Sequence, residues 1–345
     1  MSGVITVTSG PGLVISGVMA AASRIADPSF VMWQDLGGTL ALYPGTGGAT
    51  ATWTNVLTTT ARGIGVDTTN SFIYATDDNG NLRKIDYDGN TEWTVDTGTA
   101  QIHGPRIATD PSGDVYVGYR TGGAAAIEKR SSVDGSIVWS SVSGPYSGAT
   151  SIVHSAAESA IYVGYQAGHA AGLVKYSDST GAELWNKNSG DVLVSSAGAP
   201  ASPTDVTLLP NGNVALATTG WTGSQNRGHF WVLNASTGAQ IVKADMTATA
   251  NGGTLAVDDT HAFISAGSVN DLYAWEHDGT FVDTLSGVGI QRPIGTRAST
   301  SQVYIADPGS GDVKEVNISG STIVLGTSIA TYSNAFTNTH LGFID

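Results

Sequence analysis

The residues best equipped for chemistry in this chain sit between its apolar segments. Arg106, Arg120, Arg227 and Arg292 join His103, His169 and His229 in Gly-rich connections, with Trp221 among them. A guanidinium fork suits carboxylates, and an exposed indole stacks on sugar faces or on another protein. Those eight are the candidate binding residues. Trp221 and Arg227 share one of the longest connections, Thr219 to Gly228, which follows a second long one from Ser189 to Pro203. Extra loop length on a regular scaffold marks a binding surface.

Catalytic signatures are weak by comparison. With no cysteine, disulfides, zinc–thiolate sites and thiol nucleophiles are excluded. The seven histidines have neither His-x-His nor His-Glu-x-x-His spacing, so no metal site is expected. Asp86-Tyr87-Asp88-Gly89-Asn90 alternates acids as a calcium loop does, but lacks the bidentate glutamate and reads as a turn. A glycan-cleaving enzyme needs two facing carboxylates. Asp67, Asp110, Asp258 and Asp345 instead end strands and are expected to cap turns. No cofactor is expected, and a non-enzymatic role is expected.

The elements that position these residues form a repeat. Three copies end in Asp88-Gly89-Asn90-Thr91-Glu92-Trp93, Asp134-Gly135-Ser136-Ile137-Val138-Trp139 and Ser179-Thr180-Gly181-Ala182-Glu183-Leu184-Trp185. Degenerate copies carry Thr237-Gly238, Asp278-Gly279 and Ser319-Gly320, and an earlier one ends at Trp53. Upstream of each lies an apolar strand such as Asp114-Val115-Tyr116-Val117-Gly118-Tyr119 or Ile161-Tyr162-Val163-Gly164-Tyr165. Each unit reads as strands a, b, c and d joined by short turns. One such meander cannot hide both faces. Radial stacking does, and leaves only short edges.

The fold class is therefore all-β: a single β-propeller over 1–345 with four-stranded antiparallel blades. Seven full repeats occupy 19–327. Strand a is counted once more at Leu341-Gly342-Phe343-Ile344-Asp345, and a hairpin reads over Val4–Thr8 and Leu13–Ser16. With 1–18 as a closing hairpin and 328–345 as a closing strand, these pieces are expected to form a composite eighth blade; seven blades is the alternative. In either count the b–c and d–a loops share one face, and that face gathers the arginines and histidines.

The glycine turn and tryptophan strand, following a Val-Tyr-Val-Gly strand, resemble the quinoprotein alcohol dehydrogenase-like propellers. The resemblance spans nearly the whole chain and implies a tryptophan of each repeat docking on the neighbouring blade. The enzymes of that group use pyrroloquinoline quinone, calcium and often a cysteine pair. This chain has no cysteine and no recognisable ligand set, so the resemblance implies architecture without that cofactor. Many members are scaffolds, and the Gly/Thr/Ser/Ala-rich style is similar to phage or virion structural subunits.

Charge completes the reading. At a formal −14 the chain is a poor nucleic-acid ligand. No apolar run approaches the roughly 18 residues of a spanning helix, and the N-terminus lacks the pattern of a secretory leader, so a soluble chain is expected. The expected partners are other proteins of an assembly, a second copy of the chain included, with a glycan as the alternative ligand.

Overall fold

A computed structural model describes residues 29–34, 39–44, 51–57, 61–97, 107–121, 124–143, 148–166, 172–188, 201–220, 228–246, 253–266, 270–288, 294–297, 300–306, 312–331 and 341–344. These residues form strands and turns only, in seven four-stranded antiparallel sheets. The first sheet contains β1 (Ser29–Gln34), β2 (Thr39–Pro44) and β3 (Trp53–Val56). Blade 2 contains β4 (Ala61–Asp67), β5 (Phe72–Asp77), β6 (Asn81–Asp86) and β7 (Thr91–Asp96). Blade 3 contains β8 (Ala108–Thr109), β9 (Val115–Thr121), β10 (Ala124–Arg130) and β11 (Ile137–Ser143). Blade 4 contains β12 (Gly148–Ser155), β13 (Ala160–Gln166), β14 (Gly172–Ser177) and β15 (Glu183–Asn188). Blade 5 contains β16 (Ala201–Leu208), β17 (Val214–Gly220), β18 (His229–Leu233) and β19 (Gln240–Asp245). Blade 6 contains β20 (Thr254–Val257), β21 (His261–Ala266), β22 (Asp271–Glu276) and β23 (Phe281–Leu285). Blade 7 contains β24 (Ile294–Arg297), β25 (Gln302–Ala306), β26 (Asp312–Ser319) and β27 (Thr322–Thr331).

The last strand, β28 (Leu341–Ile344), completes blade 1. It pairs with β1 in the register Ser29 to Ile344 through Met32 to Leu341. Inner strands touch their neighbours around the whole ring, and β28 lies against both β24 and β4. That contact corrects the eighth-blade expectation. The C-terminal strand does close the ring, but as the inner strand of the first blade. The ring is complete at seven, because blades 7 and 2 both reach it. The segments read as a closing hairpin, and Arg24–Asp27 read as the first inner strand, lie outside the described residues.

Burial follows strand position. Second strands are apolar and buried on both faces, as at Ile161, Tyr162 and Val163. The core therefore lies between blades: Ile127 and Trp139 of blade 3 pack with Val163, Val174 and Tyr176 of blade 4. Outer strands are wetter and expose Leu184, Ile241 and Phe281.

A recurring joint sets the blade spacing. The Trp53 indole N–H donates to Tyr87 O at 2.8 Å, Trp93 to Ser132 O at 3.1 Å, Trp139 to Asp178 O at 2.8 Å and Trp185 to Ala235 O at 3.2 Å. Every acceptor lies in the c–d turn of the next blade. Each indole slides beneath that turn's glycine. At Gly181, where φ is +69°, a Cβ would lie 2.5 Å from Trp139 Cε3. Gly89 and Gly135 close over Trp53 and Trp93 in the same way. In blades 2 to 4 the joint extends into a row of three across the sheet. Tyr74, Lys84 and Trp93 are in register, as are Tyr116, Lys129 and Trp139, and Tyr162, Lys175 and Trp185. Cross-strand rows of this kind stabilise a sheet locally. Here they also reach the neighbour: Lys84 Nζ donates to Ser132 O at 2.8 Å and Lys175 Nζ to Ala235 O at 3.1 Å.

Gly181→Ala therefore meets two penalties, a left-handed backbone worth ~1–2 kcal/mol and an indole clash worth ~1–3 kcal/mol. Gly212 has φ +82° and no atom within 4 Å of the place a Cβ would take, so Gly212→Ala meets only the first. Urea unfolding is expected to show a loss of about 2–5 kcal/mol for Gly181→Ala and about 1–2 kcal/mol for Gly212→Ala.

Candidate functional site

The inner strands of all seven blades surround an axial cavity of about 610 Å³. Its wall alternates hydroxyls and hydrocarbon: Thr68, Thr109, Thr207, Thr254 and Thr296 among Ile64, Ile107, Ile152, Leu208, Ile294 and Phe343. His154 is the one titratable side chain among the described lining residues. Such a wall offers hydrogen bonds and apolar contact but no strong charge. It suits a neutral occupant.

Around His154 the polar groups are tied to each other. Its Nε2 lies 3.3 Å from Asp178 Oδ2, and its ring stacks on Tyr116 at 5.6 Å and 11°. The Tyr116 hydroxyl donates to Asp110 Oδ2 at 3.3 Å, and Lys129 Nζ sits 2.7 Å from the same carboxylate. Asp110 Oδ1 meanwhile accepts from Ser112 N and Asp114 N, capping its turn. Burial alone raises the Asp110 carboxyl. Hydrogen bonds from Lys129 and Ser112, together with the lysine charge, outweigh it and hold the group below the usual carboxylate range. Asp67 caps its own turn through Thr69 N and Asn70 N, and Asp258 through Thr260 N and His261 N.

Two further buried groups tie the framework together, one between blades and one within blade 3. Asp205, fully buried, accepts from Ser151 Oγ of blade 4 at 2.7 Å and from Leu255 N of blade 6 at 2.8 Å. Its carboxylate thus spans three consecutive inner strands. In blade 3 Arg130 Nε donates to Glu128 Oε2 at 2.7 Å and Nη1 to Gly135 O at 2.9 Å, while the Tyr119 hydroxyl bonds Glu128 Oε1. A second cavity, about 290 Å³, opens between blades 6 and 7, where Asp258, His261, Gln302 and Glu315 converge. At that interface the row of three reads Phe263, Ala274 and Asp283, with neither lysine nor tryptophan.

Of the eight sequence candidates, Trp221, Arg227, Arg106, His103, His169 and Arg292 lie outside the described residues. Arg120 is placed by its backbone alone, in β9 next to the b–c connection. His229 is the first residue of β18 and is fully buried. Its Nδ1 is 3.4 Å from Thr218 Oγ1 and its Nε2 3.4 Å from Asp245 Oδ1, with the Trp231 ring at 5.7 Å. It is a strand-end residue inside the blade, not an exposed loop contact. Sequence reasoning missed His154 and Asp205. Both lie on inner strands, and each has a partner in another repeat: Tyr116 of blade 3 for His154, and Ser151 and Leu255 of blades 4 and 6 for Asp205.

Burial pushes the phenols of Tyr74, Tyr116, Tyr119 and Tyr162 well above their ordinary value. Nearby carboxylates add to it: Asp67 for Tyr74, Asp110 for Tyr116, Glu128 for Tyr119 and Glu158 for Tyr162. In the unfolded chain these phenols ionise near pH ~10. The folded state then binds more protons than the unfolded one, so stability falls as pH rises above ~10. Lys84, lowered by burial, acts with the opposite sign, but only up to its ordinary value near ~10.4. In a base titration followed at 295 nm, part of the phenolate signal of the 12 tyrosines is expected to appear only together with loss of sheet circular dichroism.

No family model matches the chain, and no curated protein does. Solved structures do. BamB from Moraxella catarrhalis is 17% identical, covering 87% of this chain and 83% of its own, with a TM-score of 0.55. The Dos1 propeller is 13% identical over 89% of this chain and 84% of its own, with a TM-score of 0.61. A functionally unknown protein from Desulfotomaculum acetoxidans is 11% identical over 92% and 98%, with a TM-score of 0.67. At these identities the likeness concerns fold. Among the described residues no helix is long and apolar enough to cross a membrane. By fold, the chain is a single β-propeller.

Proposed function

We propose that the protein is a non-enzymatic interaction scaffold that engages other proteins of an assembly through its b–c and d–a loop face. One observation carries the reading: the described side chains with the most chemical capacity are engaged in joints. Lys84, Lys129 and Lys175 hold turns, Asp205 ties inner strands, and Glu128 pairs with Arg130. Such a framework presents loops rigidly. The indole-to-turn joint supports placement with the quinoprotein alcohol dehydrogenase-like propellers in their scaffolding branch. The Gly/Thr/Ser/Ala-rich, cysteine-free composition favours a virion subunit of tail, baseplate or capsid within that reading.

The axial cavity favours a second reading. Its threonine hydroxyls and apolar patches suit a neutral sugar, with Trp221 and Arg227 as loop contacts.

Both readings meet in one comparison. Light scattering of the purified chain with candidate assembly proteins is expected to show a complex. Trp221→Ala with Arg227→Ala is expected to weaken it at least tenfold while the unfolding midpoint stays constant. A complex indifferent to both changes would sink the loop-face reading. Binding to a glycan array alone, lost in Trp221→Ala, would establish the second reading instead.

A further inference from the structure

The joints of blades 2 to 4 show what an ammonium does between blades. Lys129 Nζ lies 2.7 Å from Asp110 Oδ2, and Lys175 Nζ lies 2.7 Å from Glu158 Oε2. Both carboxylates belong to the a–b turn of the lysine's own blade. Lys84 and Lys175 also donate to the next blade, at Ser132 O and Ala235 O. Lys175 shows the whole arrangement, an ammonium held between a carboxylate of one blade and a turn of the following one. Asp110 divides its two oxygens: Oδ1 caps the a–b turn, and Oδ2 takes the lysine.

The joint between blades 6 and 7 keeps this frame around a cavity. Asp258 follows β20 as Asp110 follows β8. Its Oδ1 caps the turn in the same way, accepting from Thr260 N and His261 N, while its Oδ2 lies 3.2 Å from His261 Nδ1. On the facing blade Val316 pairs with Val303 as Arg130 pairs with Val115, so Ile318 holds the register position of Ser132. The lysine's own position differs. Phe263 pairs with Ala274 where Tyr116 pairs with Lys129 and Tyr162 with Lys175. The cavity of about 290 Å³ opens between these groups, with Asp258 and Asp259 on one side and Asn317 and Ile318 on the other. Asp259 and Asn317 are exposed, so the cavity meets solvent there. Val303, Val316 and Ile318 give it an apolar wall, and Glu315 brings a third carboxylate. No lysine or arginine is among its described lining residues.

We infer that this cleft binds a lysine side chain of a partner protein, whose ammonium takes the place between Asp258 and the third strand of blade 7 that Lys129 and Lys175 take in their own joints. The chain's own repeats carry the argument: one carboxylate geometry meets an ammonium in blade 3 and a solvent-open cavity in blade 6. A lysine stem packs along apolar surface while its head seeks charge, and the cleft offers both in that order. Ammonium–carboxylate hydrogen bonds are stronger than neutral ones, so charge decides the occupant. The cleft lies at the turn end of the blades, opposite the loop face, and stands whether or not that face binds a partner.

Saturation-transfer NMR of the full chain tests it with Nα-acetyllysine methylamide, beside Nα-acetylnorleucine methylamide, which has the stem without the ammonium. Wild type is expected to bind the lysine probe saturably and the norleucine probe about tenfold or more weakly. Ala274→Lys supplies the ammonium from β22. It is expected to weaken the lysine probe about tenfold or more and to hold or raise the urea midpoint, which a misfolded chain cannot do. Asp258→Asn keeps a turn-capping oxygen, removes the charge and is expected to weaken the lysine probe to a similar degree. Trp221→Ala is expected to leave the lysine probe unaffected, which separates this site from the loop face. Absence of saturable binding would overturn the inference. So would equal binding of the two probes, or lysine-probe binding unchanged in Ala274→Lys. Tighter binding of free cadaverine than of the capped lysine would make the ligand a small diamine and overturn the partner's side chain as occupant.

Discussion

The structure depends on one contact, an indole placed beneath the turn of the next blade. A four-stranded sheet with two apolar faces is unstable alone, so every blade needs a neighbour on each side. The tryptophan joint fixes how close that neighbour comes. The indole N–H satisfies a turn carbonyl and its ring fills the space a glycine leaves open. Trp53, Trp93, Trp139 and Trp185 hold four consecutive interfaces in this way. From blade 5 onward the joint changes character. Val242 packs under Gly279, and the Asp283 carboxylate reaches Ile323 N. The ring thus has a half joined by indoles beneath turns and a half joined by other contacts, among them Phe230 stacked on Trp275 and Tyr304 against Phe343. The interblade cavity at Asp258 and Glu315 belongs to the second half.

This division shapes the chemistry available. Lysines placed on the third strand are drawn inward, over tyrosine rings in blades 3 and 4, with Lys129 Nζ 5.3 Å from the Tyr116 ring centre and Lys175 Nζ 5.5 Å from that of Tyr162. Carboxylates at the ends of inner strands fold back on their own turns. The axial cavity is left with threonine and hydrocarbon walls. On the proposed reading, recognition falls to the loop face.

Much of this was legible in the sequence, because a turn glycine followed by tryptophan recurs with the strands around it. The meander, the turn-capping role of Asp67, Asp110 and Asp258, and closure through the C-terminus all follow from local pattern. Blade number did not. Arg24–Asp27 and Leu341–Asp345 both look like inner strands, and only pairing with β1, more than 300 residues away for the second, decides between them. The lysine joints were hidden for the same reason. Their acceptors Ser132 O and Ala235 O lie 48 and 60 residues downstream, in other repeats. His229 was read as a loop residue because it follows a Gly-rich connection. The pairing of Thr218 with His229 extends the hairpin by one step and seals the imidazole beside Trp231.

A double-mutant cycle between Trp139 and Gly181 tests the central contact most directly. Stabilities of wild type, Trp139→Leu, Gly181→Ala and the double variant are measured by urea unfolding. If the indole fills the space above residue 181, the alanine costs less once the indole is gone, by about 1–3 kcal/mol. Equal costs in the two backgrounds would contradict the account, because the turn and the tryptophan would then stabilise their blades independently.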